Sequence, residues 1–542
     1  MNRRKFLKNT GATVLGASPL LRIGGGLAVS SQLVSASETF SDYKALVVVF
    51  LDGGNDAMNM FIPTDTDRHS EYEAIRGVGE MAISNLDLDG GNLEVDSNGH
   101  YVKNENTPHP YFDEPQTGDG LSTSAERSYR KGSYHLNNSD GNPSGMGINS
   151  MMPELTAMYK NGKASIIANV GTLVKPTTKE EIDNNTAELP VFLFAHNHQK
   201  RAVYTGQAEQ LATVGWAGKI ADAWLVNEPV GLNLTYGNVT TLQIGQGTAP
   251  LKMGTTITPP SFKSVYTETQ GERFESILDD FNEITGDNAF ANYYGRNIKR
   301  AGELSTLLTE SMKTAPDFTT FTKTNSYGLP LFSVEKDESG EVFTEEVLGL
   351  TMHDDVRDNI FKEFKSAAKM IKVGKDTLSY KRQIIYVRMV GYDSHSSQAT
   401  NQLNNLRSLS LALSDFQKAL EEMGLDDKVL TVSLSDFGRT LKNNSDGTDH
   451  GWGGHSFMIS GDPTFQGGNV LGTVLDDLTL DGKNCYTSKG RIIPTTSIEQ
   501  MLAPALNWFG VSDSLLPTIL PNLSNFQSDG TMKSAFLKGM FS

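Results

Sequence analysis

Short runs of apolar residues alternate along this chain with stretches of helical periodicity. Four runs are continuous, short and rich in β-branched residues, which is typical of strands buried on both faces: 45–51, 164–170, 383–390 and 428–434. Residues 402–423 carry apolar side chains at three- and four-residue spacings, which predicts an amphipathic helix. Strands that alternate with helices predict an α/β fold with a mostly parallel central sheet flanked by helices.

Two stretches depart from this alternation and predict long insertions. Residues near 65–150 are rich in Gly, Asn, Asp and Ser and have little periodicity, which predicts a polar surface excursion. Residues near 260–380 contain segments rich in Glu, Lys and Leu, which predicts a helical insertion. We therefore expect one α/β domain over residues 37–542 that carries both insertions.

Residues 1–36 have the pattern of an export signal. The pair Arg3-Arg4, followed by Lys5-Phe6-Leu7-Lys8, resembles the twin-arginine signal, and Val34-Ser35-Ala36 offers the small residues that a signal peptidase needs. Arg22 interrupts the apolar stretch, whereas a membrane span needs about 20 apolar residues. We predict a cleaved signal peptide that directs the chain to the twin-arginine export machinery. The mature protein is expected to be periplasmic or otherwise exported, with no stable membrane span.

Charge and cysteine content exclude several classes of protein. The net charge is −17, and residues 1–36 contain five basic and no acidic side chains, so the remainder is more negative still. Because nucleic-acid binding needs a basic surface, this charge argues against a nucleic-acid partner. A single cysteine, Cys485, rules out an intrachain disulfide and a metal site built from cysteines.

Acidic residues and histidines lie at four turns, of which three directly follow predicted strands and the fourth precedes a strand after a glycine-rich loop. In an open α/β sheet, ligands gather beyond the carboxyl ends of the strands, so these side chains should meet. Carboxylates together with imidazoles suit zinc, manganese or iron, whereas calcium prefers oxygen ligands. The residues of the four turns are Asp52; Asp393 and His395; Asp436; and Asp449, His450 and His455.

Each of these turns also has a purely structural interpretation. Asp52 could bond local backbone amides, and Asp393 and Asp436 could cap the helices that follow. His395 and His450 could be partly buried histidines with satisfied hydrogen bonds. The recurrence of the pattern at four strand ends favours a metal site over four independent structural roles.

Three sequence blocks carry a resemblance to a known family. LDGGND (51–56), GYDSHSSQ (391–398) and SDFGRT with GTDHGWGGH (435–455) resemble the exported bacterial family called domain of unknown function 1501. That family is similar to the alkaline-phosphatase-like superfamily, which includes the sulfatases. The resemblance implies an alkaline-phosphatase-like fold that hydrolyses phosphate or sulfate esters. It also implies one or two divalent metal ions, zinc first and manganese or calcium as alternatives.

The resemblance assigns roles to individual residues. Arg439 is a candidate for neutralising an oxyanion, with a plain ion pair to a carboxylate as the alternative. Phe437 stands where the superfamily often has a histidine. The metal-ligand candidates are Asp52, Asp393, His395, Asp436 and His450, with His455 as a competitor of His450.

The nucleophile is where the chain departs from the family's pattern. The family commonly has Ser-His after its second strand, and here the corresponding residues are Ala195 and His196. A water activated by the metal could replace the missing hydroxyl, with His196 and His198 as acid/base or ligand candidates. Alternatively, the chain has lost catalysis and keeps a metal or ligand site.

Three hypotheses follow for the function. The first is a metal-dependent hydrolase of phosphate or sulfate esters whose substrate is a small-molecule or glycan ester. The second is a non-catalytic exported protein that binds a metal or another ligand on the same scaffold. The third, an accessory protein of an oxidoreductase, finds no haem, iron–sulfur or dinucleotide motif in the sequence.

Overall fold

The computed structural model describes most of the chain from residue 40 onward. The predicted export signal lies outside the described residues, as does most of the predicted helical insertion. The described ranges are 40–88, 93–102, 132–224, 233–236, 239–252, 310–313, 315–326, 328–333, 358–480 and 482–542.

The strands of the described residues form one large sheet and three small ones. The large sheet has nine strands in the order β13-β5-β12-β9-β1-β8-β6-β7, and β16 also pairs with β5. The strands are β1 (Lys44–Leu51), β2 (Phe61–Pro63), β3 (Ser133–Asn137), β4 (Pro143–Asn149), β5 (Ala164–Gly171), β6 (Asn233–Thr235), β7 (Leu251–Lys252), β8 (Arg382–Met389), β9 (Val429–Ser435), β10 (Arg439–Asn443), β11 (Thr448–His450), β12 (Gly454–Ser460), β13 (Val470–Gly472), β14 (Cys485–Tyr486), β15 (Arg491–Ile492) and β16 (Thr496–Ser497).

Helices cover both faces of the large sheet. The α-helices of the described residues are α1 (Ala57–Met60), α2 (Thr66–Arg76), α3 (Pro153–Lys160), α4 (Lys179–Asp183), α5 (His196–Thr205), α6 (Trp216–Trp224), α7 (Asp358–Asp376), α8 (Gln398–Glu422), α9 (Ile498–Phe509) and α10 (Leu516–Ile519). A π-helix spans Gly77–Met81, and short 3-10 helices span Thr241–Gln243, Phe318–Thr320, Asp426–Lys428, Pro521–Phe526 and Met532–Ala535.

The central strand β1 shows why its apolar run is continuous. Alternate residues of β1 enter two separate hydrophobic clusters: Ala45, Val47, Val49 and Leu51 pack on one face, and Leu46, Val48 and Phe50 on the other. Because successive side chains of a strand point to opposite faces, a strand covered on both sides must be apolar throughout. Helix α8 packs on the first face and helix α9 on the second.

The predicted fold class is confirmed. The pairs β1–β8, β1–β9, β6–β8 and β13–β5 are parallel, and strand β12 alone runs antiparallel to its neighbours β5 and β9. The sheet is therefore mostly parallel and flanked by helices, as the apolar runs indicate.

The predicted polar excursion contains regular structure where it is described. Helix α2 lies within it, and strands β2, β4 and β3 form an antiparallel three-stranded sheet. The prediction of a surface excursion was wrong for these segments because their few apolar side chains, such as Tyr72 and Ile148, are fully buried in the main core. The described residues contain no helix that is long and apolar enough to cross a membrane.

Candidate metal centre

The carboxyl ends of three neighbouring strands bring the predicted site residues to one edge of the sheet. Strand β1 lies between β8 and β9 and is parallel to both, so Asp52, Asp393 and Asp436 follow at the same end. Gly53 makes this close approach possible. Its φ of 121° suits glycine, and a Cβ atom there would collide with the backbone nitrogen of Asp393.

Three imidazoles and one carboxylate converge at this edge. We call His196, Asp393, His395 and His450 the histidine cluster. The Nε2 atom of His450 lies 3.1 Å from Nε2 of His196, 3.0 Å from Nε2 of His395 and 3.2 Å from Oδ1 of Asp393. Nε2 of His196 lies 3.4 Å from Oδ2 of Asp393, and Nε2 of His395 lies 3.1 Å from Oδ1. The cluster opens to solvent, since the side chains of Asp393 and His395 are nearly half exposed.

These separations suit ligands of one metal ion. Ligand atoms about 2.0–2.1 Å from a tetrahedral zinc ion lie about 3.3 Å from one another. Ligand atoms from His196, Asp393 and His450 all fall within 4.8 Å of each other, a group that could hold a metal ion. Nitrogen donors together with one carboxylate are a ligand set that zinc accepts. The donor set therefore fits the metal that the family resemblance implies.

The outer nitrogens of the imidazoles fix their orientation. His196 donates from Nδ1 to Oδ2 of Asp436 at 2.7 Å, and His450 donates from Nδ1 to the carbonyl oxygen of Phe194 at 2.8 Å. In the neutral imidazoles, the proton is thus on Nδ1, and both Nε2 atoms present lone pairs to each other. Facing lone pairs repel each other, and either a proton shared between the two nitrogens or a metal ion bound by both removes that repulsion. Metal-bound histidines in proteins are commonly oriented by this kind of outer hydrogen bond.

Phe194 reaches His450 through an unusual backbone conformation. Its φ is 72°, in the left-handed region that bulky residues rarely adopt. Phe192, two residues earlier, also has a positive φ of 51°. Backbone strain of this kind is concentrated at functional sites, where the surrounding structure maintains it.

The charges around the cluster shift its pKa values in different directions. The hydrogen bond and the charge of Asp436 raise the pKa of His196. Burial, together with the charges of His196 and Arg439, lowers the pKa of His450. Burial opposes ionisation of Asp393, but the hydrogen bond and charge of Arg439 outweigh it, so the pKa of Asp393 lies below its usual range. The carboxylate is thus ionised and available as a ligand.

Asp52 and Asp436 lie beside the cluster but are engaged with cationic side chains. We call these two residues the carboxylate pair, and both are almost fully buried. The ammonium of Lys200 contacts Oδ1 of Asp52 and lies 3.5 Å from Oδ2 of Asp436. The guanidinium of Arg388 contacts Oδ2 of Asp52. Although both residues were predicted as metal ligands, Asp52 is thus ion-paired and Asp436 orients His196.

Two other predicted histidines point elsewhere. Nδ1 of His455 accepts a hydrogen bond from the backbone N–H of Asn169 at 3.1 Å, so Nε2 carries the proton and faces Sδ of Met58 at 3.2 Å. Burial lowers the pKa of His455 to about 4. His198 is two positions after His196 on α5 and therefore faces another direction, with its ring packed against Phe192 at a centroid distance of 4.3 Å. Neither histidine contributes to the metal-ligand group formed by the described residues.

Arg439 and Phe437 support the cluster from inside. Arg439 is 2% exposed and donates from Nη1 to Oδ1 of Asp393 at 2.8 Å. Arg439 thus forms the plain ion pair to a carboxylate that was the alternative to a role in neutralising an oxyanion. The ring of Phe437 packs against His196 and His450 at centroid distances of 4.8 and 4.7 Å, so it holds two ligands in place and offers no ligand atom itself.

Three contributors were not anticipated as such: Lys200, Arg388 and the carbonyl of Phe194. Lys200 has a sequence signal, because it is four residues after His196 and so lies on the same face of α5. Arg388 is at the end of an apolar strand, and nothing in the pattern distinguishes it from an exposed strand residue. The Phe194 carbonyl depends on a backbone conformation that the residue type does not predict.

The family resemblance is confirmed for the part of the chain that carries most of the site. Residues 345–480 match the family described as "Protein of unknown function (DUF1501)". The matched segment includes Asp393, His395, Asp436 and His450. No curated protein matches the chain.

Among solved structures, the chain is similar to the phosphonate monoester hydrolase SpPMH from Silicibacter pomeroyi. The identity is 13% and the TM-score 0.27, over 68% of this chain and 72% of that chain.

Proposed function

We propose that this protein is a metal-dependent hydrolase of phosphate or sulfate esters, and that it works outside the cytoplasm. The observation that carries the proposal is the convergence of three imidazole Nε2 atoms on the Asp393 carboxylate. The outer hydrogen bonds of His196 and His450 direct their lone pairs into the cluster. The resemblance of the chain to the alkaline-phosphatase-like superfamily supports the class of reaction.

The histidine cluster would hold one divalent ion, most simply zinc. Such an ion supplies Lewis acidity toward an ester oxygen and lowers the pKa of water toward neutrality. The protein's own part is to keep the ligands in place. Asp436 and the Phe194 carbonyl orient His196 and His450, and Arg439 holds Asp393.

The charges near the site favour an anionic substrate. The three carboxylates Asp52, Asp393 and Asp436 are matched by the cations of Lys200, Arg388 and Arg439. The charge of a divalent ion would therefore remain available to a phosphate or sulfate group. Such local attraction can operate in a strongly acidic protein because the fixed cations are close and the distant carboxylates are screened.

A screen of ester substrates tests this proposal. We expect the zinc- or manganese-loaded protein to hydrolyse an aryl phosphate, phosphonate or sulfate ester. Chelation should abolish the activity, and His450→Ala should lack it. No turnover of any of these esters at full metal occupancy would contradict the enzyme proposal.

Ala195 favours a second candidate, a non-catalytic exported protein that binds a metal or another ligand. This residue precedes His196 at the start of α5, where the family commonly has serine, and it offers no hydroxyl nucleophile. The ester screen separates the two candidates, because the second predicts metal binding without turnover.

The proposed location rests on residues 1–36. Replacement of Arg3 and Arg4 by lysine should retain the protein in the cytoplasm, whereas the unmodified chain should be recovered from the periplasm or the medium. Export that is unaffected by the double substitution would contradict the twin-arginine route.

A further inference from the structure

The carboxylate pair has its own cations, whereas the histidine cluster has ligands with free lone pairs. Lys200 bridges Asp52 and Asp436, and Arg388 takes the other oxygen of Asp52. The side chain of Asp436 has no exposed surface and that of Asp52 only 6%. Because buried carboxylates are costly without a partner, these two cations are part of the folded structure.

The position of Lys200 is determined by the helix that also carries a cluster residue. Helix α5 begins at His196, and Lys200 follows one turn later on the same face. The helix thus directs an imidazole toward the cluster and an ammonium toward the carboxylate pair. His196 and Lys200 also share Oδ2 of Asp436, at 2.7 and 3.5 Å.

The carboxylate pair offers few donors to a metal ion. Phe437 follows Asp436 directly and offers no ligand atom. Gly53 donates its backbone N–H to Oδ1 of Asp436 at 3.0 Å, and Arg388 occupies Oδ2 of Asp52. A divalent ion between the remaining oxygens would lie at the position of the Lys200 ammonium and would be repelled by it.

We propose that Lys200 takes the place of a second metal ion, so that the site binds a single divalent ion in the histidine cluster. This inference rests on the metal site of the proposed function and makes it specific. Lys200 is a positioning residue for Asp52 and Asp436. Through Asp436, it also acts on the orientation of His196.

Metal stoichiometry tests the inference directly. Protein that has been stripped with a chelator is saturated with Mn²⁺, which accepts both imidazole and carboxylate ligands, and bound metal is counted per chain. We expect one equivalent in the unmodified protein. Lys200→Met keeps the length of the side chain but removes its charge, and it should admit a second, weaker equivalent. The double variant Lys200→Met with Asp52→Asn should return to one.

Two controls accompany these variants. Lys200→Arg keeps a cation at the carboxylate pair and should bind one equivalent. Arg201→Met removes a charge from the adjacent position of α5 and should also bind one. Circular dichroism and a thermal melt establish that each variant is folded.

The outcomes separate this inference from the proposed function. Two equivalents in the unmodified protein, or one equivalent in folded Lys200→Met, would overturn the inference and leave the histidine cluster intact. If Lys200→Met does not fold, a count of one in both the unmodified protein and Lys200→Arg upholds the inference, and a count of two in either overturns it. No bound metal in the unmodified protein would overturn both the inference and the proposed function.

Discussion

The histidine cluster and the carboxylate pair lie side by side but are built in opposite ways. In the cluster, hydrogen bonds are made by the outer nitrogens of His196 and His450, and their inner atoms face one another. In the carboxylate pair, the cations of Lys200 and Arg388 already contact the oxygens that a metal would need. The two regions differ in where the cation lies. Lys200 lies between the two carboxylates of the pair, whereas Arg439 contacts Asp393 from inside and leaves the imidazole nitrogens of the cluster facing one another.

The largest effect is expected from removing a central ligand of the cluster. His450→Ala should lower zinc affinity by more than about 100-fold, because Nε2 of His450 is within 3.2 Å of every other residue of the cluster. Elemental analysis after dialysis measures the loss. His198→Ala is the matched control and should retain its metal. Equal metal content in both variants would show that the cluster is not the site.

Loss of an orienting hydrogen bond should have a smaller effect. Asp436→Asn removes the charge that holds Nδ1 of His196, and substitutions of such outer partners typically cost about 10–100-fold in metal affinity. Competition with a chelator measures the metal affinity of the variant. Asp449→Asn is a graded comparison, since Oδ1 of Asp449 lies 3.6 Å from Nδ1 of His395 and should contribute less. A larger loss of metal affinity in Asp449→Asn than in Asp436→Asn would contradict the orienting role of Asp436.

The third prediction concerns His455, a buried histidine outside the cluster. The pKa of His455 falls to about 4 in the folded protein, so its contribution to stability is complete above its ordinary pKa and is lost as the pH falls toward 4. Protonation of His455 in the unfolded chain should cost on the order of 2 kcal/mol of unfolding free energy at pH 5. His455→Asn keeps an acceptor for Asn169 and should show a flatter decline between pH 7 and 5. Denaturant unfolding of the metal-free unmodified protein and of His455→Asn measures the two pH profiles. Parallel declines would refute the lowered pKa of His455.

The smallest effect on metal binding is expected at Asp52. Asp52→Asn should change zinc affinity by less than about threefold, because its oxygens contact Lys200 and Arg388 and no cluster residue. The melting temperature should fall, since Arg388 loses its carboxylate partner and Lys200 keeps only Asp436. A loss of metal comparable to that of His450→Ala would erase the distinction between the two regions.

The sequence predicted much of the fold because its strongest signals are local. The runs of β1, β8 and β9 are continuous and apolar, and their polar ends locate Asp52, Asp393 and Asp436 at one edge of the sheet. The antiparallel direction of β12 has no such signal, since a buried strand has the same pattern in either direction. That direction depends on the pairing of β12 with β5 and β9.

The division of labour within the site could not be predicted from residue types. His196, His198 and His455 are identical as residues, and only their contacts in the folded structure distinguish a ligand candidate from a structural histidine. The signal of Lys200, one turn after His196, indicates a shared helix face but does not identify the carboxylates that it reaches. Most of these assignments require three-dimensional distances between residues more than 100 positions apart.

X-ray absorption spectroscopy of the zinc-loaded protein tests the central claim most directly. A metal in the histidine cluster should give a first shell with at least two imidazole nitrogens, those of His196 and His450, together with oxygens at about 2.0–2.1 Å. A first shell made of oxygens alone, or one with fewer than two imidazoles, would place the metal elsewhere and contradict this account.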